Sequence, residues 1–504
     1  MNRLLSLAKI CFCMMIFTLP ITMLPARYTI PILGGNLPDI FLLFSIIFCV
    51  IYVVIDHDIS FPRNAMIYFL CFFTWSLFCL IWGWLNFPYY DAAVDASLRN
   101  SRMVSVLSNV FPTAQDNTAF LHIKMLFSYF WYMIRGFFFT FLGTWFILYT
   151  FLYKRKFKEL QKGGYNAIYG LSIVMVLYSI PEIIWLWTGN ITCANLLSFI
   201  NVHLYDPVVN NGWWPPLLWN GQLRSVCLEP SYFGIITTFL LPFLAIDIHK
   251  KFKLWKFLIF FMLVFMIFMT KARTATVVFL GESLIFFIFS IVYRYTNWKR
   301  TICTLCAVII GTFCLYVGTS TLSYQDTSAS DLTGKYINEN IVSVVGKDKR
   351  SNSARFGNTV ALINIGMDYP ITGVGMGFHS PYMTNRFPDF AQDNSEVKNW
   401  LKDMREKTFL ESGLPVLNEY AALFAWEGIL GVVLFLLPPL YLIKKYLVWQ
   451  HDHCYMTFKM ICLIVALIGQ MVCMLSAGMF LTYPLTLWIL YSTFEFEKWE
   501  RIID

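Results

Sequence analysis

The stretch Leu223-Arg-Ser-Val-Cys-Leu-Glu-Pro-Ser-Tyr-Phe233 runs straight into an apolar segment, 234–246. Counted from Cys227, the apolar run is about 20 residues long, the length that crosses a hydrocarbon core. Arg224 and Glu229 stand at its mouth, five residues apart. Charges at that depth are costly unless they face a partner or a hydrated cavity. The pair therefore reads in one of two ways. It is either an interfacial cap, with Arg224 on headgroups and Pro230 opening a helix, or part of a site.

Working outward, the composition extends the membrane reading to the whole chain. Of 504 residues 58% are hydrophobic and 13% charged, with a mean hydropathy of +0.60. Soluble domains carry about 25% charged residues. Apolar runs fall at 6–24, 38–56, 64–85, 123–152, 166–188, 228–248, 255–270, 273–293, 301–320, 416–443, 457–475 and 477–494. The expected fold is all-α and polytopic, with about twelve transmembrane helices. The 255–270 run is short and the next carries Glu282, so these two are the least typical spans. The first run reads as an uncleaved anchor, being long for a signal peptide.

Basic residues set the orientation. Lys154, Arg155, Lys156, Lys158 and Lys162 share one loop region; Lys250, Lys251, Lys253 and Lys256 a second; Arg294, Lys299 and Arg300 a third; Lys444 and Lys445 a fourth. The alternate segment 189–223 has none. The positive-inside rule places the basic loops and both termini in the cytoplasm. The net charge of +8 follows from this distribution and does not indicate nucleic-acid binding. The expected organisation is 1–320 with nine spans and outer loops 86–122 and 189–227, then a large, mainly helical periplasmic loop at 321–415, then 416–504 with three spans. Within the large loop, helices are expected at 353–367 and 395–411. The first would carry Phe356, Val360, Ile363 and Met367 on one face; the second has Val397, Trp400, Leu401 and Met404 at helical spacing.

The thirteen cysteines lie almost entirely within apolar runs, and 321–415 has none, so no disulfide holds that loop. Cys303 and Cys306 sit in an apolar helix without a second pair and read as packing. Only His122, His203 and His379 are expected at the outer face. No metal or cofactor is expected.

Charged residues inside or beside the spans are the candidates for chemistry. Arg135 interrupts the fourth run, and Glu182 lies in the outer third of the fifth; the two read either as a structural pair or as parts of a site. Lys271 and Arg273 break the positive-inside pattern within Thr270-Lys-Ala-Arg-Thr-Ala275. With Arg135 and Arg224 they would put four cations near one depth, which suits a diphosphate. Arg355 opens the first loop helix. The glycines of Tyr369-Pro-Ile-Thr-Gly-Val-Gly-Met-Gly-Phe-His379 lack the strand-turn-helix context of a dinucleotide site and read as a tight turn presenting His379. Trp213, Trp214 and Trp219 could stack on sugar rings or form an interfacial belt, and Tyr232 is a further sugar-contact candidate.

The order of these motifs resembles the O-antigen polymerase and O-antigen ligase superfamily. The residues concerned are Arg224 through Ser231, the Thr270–Ala275 segment, Arg355…Gly366…Pro370…Gly373-Val-Gly375-Met-Gly377, and Asn418-Glu-Tyr…Trp426-Glu-Gly428-Ile-Leu-Gly431. Many members carry a histidine before the asparagine; here that residue is Leu417. The resemblance implies a metal-independent membrane glycosyltransferase of the GT-C type. It would act on undecaprenyl-diphosphate-linked glycans at the periplasmic face of a bacterial inner membrane.

Under this reading Arg224, Arg273 and Arg355 would hold the diphosphate, with Lys271 and Arg135 in support. Glu229, His379 and Glu419 are the base candidates, although a Glu229 paired with Arg224 would be a poor base. The expected activity is a polysaccharide polymerase joining lipid-linked repeat units, with a chain-length regulator as a candidate partner. A ligase that delivers the glycan to lipid A–core shares the donor chemistry. A lipid-linked oligosaccharide flippase is the rival from another class, and would need charges along a path to both faces.

Overall fold

The computed structural model describes residues 2–29, 34–57, 59–91, 118–205, 215–295, 297–323, 329–340, 350–407, 414–453 and 457–503. The expected contacts of Trp213 and Trp214, and most of the 86–122 loop, lie outside these residues. The described chain is helical, without β-strand elements.

The helices are α1 (Asn2–Phe17), α2 (Leu37–Asp56), α3 (Arg63–Leu85) and α4, whose parts Thr118–Met133 and Thr140–Tyr153 flank a π-helical turn, Ile134–Phe139. There follow α5 (Phe157–Thr188), α6 (Ile191–Leu204), α7 (Pro230–Lys250), α8 (Leu254–Thr270), α9 (Arg273–Tyr293) and α10 (Trp298–Ser323). The large loop holds α11 (Ala329–Asn340), α12 (Arg350–Asp368), α13 (His379–Met383), α14 (Asp389–Gln392) and α15 (Ser395–Lys407). The chain ends with α16 (Glu419–His453), α17 (Phe458–Cys473) and α18 (Thr482–Ile503). Among the described residues eight helices are long and apolar enough to cross a membrane, and α8 and α17 are shorter apolar helices. The chain is thus a polytopic, all-α membrane protein. Both of the less typical runs, 255–270 and 273–293, form helices.

Local sequence explains the boundaries. Pro230 occupies the first turn of α7, where its missing N–H costs nothing. Asn190 caps α6, its side chain accepting from the Thr192 and Cys193 amides. Gly189 ends α5 with φ 66°. One expectation fails at the start: the run 6–24 is helical only to Phe17, and residues beyond it turn back to line a cavity at the end of the bundle.

The basic loops gather at one end. There Lys154 pairs with Asp56, Lys256 with Asp247, Lys445 with Glu495 and Lys459 with Glu497. The large loop packs on the opposite end. Its helix α12 lies against α16, but not by the face that carries the larger apolar residues. Ala354, Asn358, Ala361, Leu362 and Ile365 are buried, while Phe356, Ile363 and Met367 are exposed. Small residues let two helices approach closely: a Cβ on Gly366 would lie 2.2 Å from the Phe424 ring. The larger apolar stripe cannot approach so near. In α15, by contrast, Val397 is buried and Trp400, Leu401 and Met404 pack against the core.

The glycine-rich turn joins α12 to α16 through the backbone. Val374 N–H donates to Ala425 O (2.8 Å), Gly375 N–H to Trp426 O (2.9 Å), and Ile429 N–H to Pro370 O (2.9 Å). Gly428 breaks α16 at this point with φ 66° and ψ −167°. A Cβ there would lie 2.0 Å from Ile371 O. Gly428→Ala should therefore lower stability by at least about 1–3 kcal/mol from backbone strain alone. Thermal unfolding monitored by size-exclusion chromatography should show a lower midpoint and reduced accumulation, whereas the lipid-exposed Leu437→Ala should show little change.

Candidate functional site

At the loop-bearing end a cavity of about 530 Å³ opens between α2, α4, α7 and the α17–α18 connection. Its wall includes Asp39, Tyr132, Arg135, Tyr232, Val416, Gly478, Met479 and Phe480. Arg135 reaches it from the π-helical turn, where the extra backbone residue displaces the helical register. Its partner is Asp39 at 3.7 Å, not Glu182. The guanidinium also closes over Gly34, where a Cβ would stand 3.0 Å from Nη1.

Across the cavity Tyr232 packs edge-on against Phe480, with ring centroids 4.9 Å apart. Tyr232 is near enough to both Glu229 and Arg355 to feel their charges. Arg355 comes from α12 to the turn beside the cavity without lining it, and its Nη1 donates to Ser476 O at 2.5 Å. Arg273, at the first position of α9, donates to the side chains of Asn352 and Ser351, the latter at 2.6 Å. Arg273 and Arg355 are close enough to repel each other. Among the described residues neither pairs with a carboxylate. Two guanidiniums held together with no carboxylate partner among the described residues have the donor chemistry that suits an anion.

Arg224 and Lys271 are placed differently. Arg224 is 1% exposed. It donates to Pro216 O (2.9 Å), Leu217 O (2.7 Å) and Leu228 O (3.4 Å), and lies 4.6 Å from the centre of the Tyr205 ring. Burial lowers its pKa from the ordinary value. Glu182 accepts the backbone N–H groups of Arg224 (3.0 Å) and Ser225 (2.9 Å). Glu182 thus clamps this loop rather than pairing with Arg135. Lys271 sits in the left-handed region with φ 48°. Burial lowers its pKa, and the nearby charges belong to Glu339 and Lys335 of α11.

The base candidates also separate. Glu229 does not bind Arg224; its Oε2 accepts from Ser231 Oγ at 2.8 Å, and its side chain is part-exposed. Glu419 begins α16, is buried, and accepts the Met479 N–H at 2.9 Å. It lies beside the cavity, close to Gly478 and electrostatically coupled to Tyr132. His379 is 6% exposed. Trp426 Nε1–H donates to its Nδ1 at 2.9 Å, so Nε2 carries the proton in the neutral ring. Burial pushes its pKa down to about 4. It is a neutral brace between the glycine-rich turn and α16. Trp219 donates to Gln222 Oε1 at 2.8 Å.

Sequence reasoning missed Asp39, Tyr132 and the Ser476–Phe480 turn. Asp39 had a signal, an acid in the first turn of an apolar helix. The turn contributes backbone carbonyls and amides, which leave no mark on residue identity.

Residues 258–436, from α8 into α16, match a family model described as O-antigen ligase. This agrees with the O-antigen polymerase and ligase superfamily and supports a function of that general type. The matched span contains Arg273, Arg355, His379 and Glu419. Searches of curated proteins and of solved structures found no match to the chain.

The placement of His379 has a pH consequence. Its folded pKa, about 4, lies below the ordinary 6.5. The unfolded chain therefore takes up the proton first on acidification, and stability should fall as pH drops from 6.5 toward 4. The slope contributed is at most about 1.4 kcal/mol per pH unit. Thermal midpoints over this window should decline less steeply in His379→Gln, which can still accept from Trp426.

Proposed function

We propose that this chain is a membrane glycosyltransferase of the O-antigen polymerase and ligase type, and specifically a polymerase. It takes a glycan from undecaprenyl diphosphate and joins it to a lipid-linked repeat unit at the periplasmic face of the inner membrane. The observation that carries the reading is the Arg273–Arg355 pair. Two guanidiniums without a carboxylate partner among the described residues stand together, and Arg355 holds Ser476 O in the turn whose next part, from Gly478, lines the cavity. Bidentate guanidinium donors suit phosphate oxygens. The family match supports the donor class.

In this reaction the acceptor hydroxyl oxygen bonds to the anomeric carbon. The bond from that carbon to the diphosphate oxygen breaks, and its electron pair leaves with the diphosphate. Arg273 and Arg355 hold the growing negative charge, and Arg135 supports it from the cavity wall. The acceptor proton goes to a carboxylate. Glu229 is the better placed for this, being part-exposed and near Tyr232, which also feels the Arg355 charge. Glu419 orients the Met479 turn through its amide bond. Arg224 keeps a structural role in this scheme, and His379 takes no proton.

Arg273→Ala and Arg355→Ala should each reduce transfer by about 10²–10³-fold, as loss of a charge-stabilising donor does. The purified protein, incubated with a lipid-linked repeat unit and followed by product sizing, measures this directly. Full activity in both variants would remove the pair from the site. A deletion strain separates the activities. A single repeat unit on the lipid A–core indicates polymerase, accumulation of long lipid-linked chains without transfer to the core indicates ligase, and absence of outward-facing units indicates a flippase.

A further inference from the structure

The apolar stripe of α12 is exposed. Phe356 is 41%, Ile363 41% and Met367 68% accessible, and Ile371 beyond the helix is 68% accessible. These residues recur at helical spacing on one face, and Val360 falls between them. Polar Asn364 and Asp368 stand to one side. So large a continuous apolar surface on a water-facing loop would be a liability.

The depth of the neighbouring backbone identifies what covers it. Ile429 N–H donates to Pro370 O at 2.9 Å, and Ile371 O lies against Gly428. From Ile429 to Lys445, which sits at the basic end paired with Glu495, α16 advances sixteen residues. At 1.5 Å per residue that is about 24 Å. Tilt, or the kink at Pro438 and Pro439, only shortens it. The hydrocarbon core is about 30 Å thick. The contact level therefore falls several ångströms inside the hydrocarbon of the far leaflet.

A second helix gives the same answer. A Cβ on Gly375 would lie 3.0 Å from Cys79 O of α3. Cys79 is sixteen residues beyond Arg63, which starts α3 at the basic end. The rise is again about 24 Å. At this depth Ile429 is 57% and Val433 49% exposed, and Ile371, beside the same contact, is 68% exposed.

We propose that α12 and the turn after it are seated in the leaflet at the loop-bearing end, with Phe356, Ile363, Met367 and Ile371 in contact with phospholipid acyl chains. The segment is thus an interfacial, partly re-entrant element and not a water-exposed lobe. Its turn backbone tolerates that depth because α16 satisfies its amides and carbonyls. The seating also holds Arg355, at the head of the helix, near headgroup level.

The test is photo-crosslinking of the full chain in vesicles of phosphatidylethanolamine and phosphatidylglycerol. The variants Met367→p-benzoylphenylalanine and Ile371→p-benzoylphenylalanine should yield phospholipid adducts several-fold above Lys398→p-benzoylphenylalanine, whose site on α15 is exposed and polar. Equal yields at the three sites, or cross-links from 367 and 371 to a second copy of the chain, would overturn the proposal. Carbene labelling of the unsubstituted protein guards against a misfolded variant. A bilayer-dissolved diazirine should label 356–371 and a water-soluble one 395–404; the reverse pattern refutes the seating. Neither readout depends on catalysis, so failure here leaves the glycosyl-transfer reading standing.

Discussion

Three backbone hydrogen bonds between the 370–375 turn and the broken helix α16 underlie the whole loop-bearing end. Backbone groups at membrane depth have no water to bind, so each must find a protein partner. The break at Gly428 frees amides and carbonyls of α16, and the turn supplies their complements. Because both sides must be satisfied at once, the turn can dock in one register only. That register orients α12, and α12 in turn carries Arg355 to Ser476.

Arginine serves two opposite purposes in this structure. Arg224 is enclosed, its donors given to three carbonyls and its plane laid near Tyr205. It closes a loop whose carbonyls would otherwise be buried without donors. Arg273 and Arg355 bind neutral oxygens of Asn352, Ser351 and Ser476 and keep their net charge. Among the described residues neither has a carboxylate partner. Burial and neighbours separate the two classes; the residue type does not.

The acids divide in the same way. Glu182 and Glu419 each accept backbone amides and secure a turn. Asp39 balances Arg135. Glu229 is left with a bond to Ser231 two residues away and partial exposure.

Much of the architecture was legible in the chain because bilayer thickness demands long apolar runs, and lysine and arginine mark one end of each pair. The helix at 353–367 was legible too, but its buried face was not. Periodicity reveals that an apolar stripe exists; it does not say whether protein or lipid covers it. Here the small residues Ala354, Ala361 and Gly366 won the protein contact, leaving Phe356, Ile363 and Met367 outward. Likewise, the sequence by itself determined a polytopic helical protein with cations at the end opposite its basic loops. Only the tertiary structure decided that Arg224 closes a loop while Arg273 and Arg355 stand together. The physical reason is that an arginine's role follows from which carbonyls and carboxylates surround it, and those come from segments far apart in the chain.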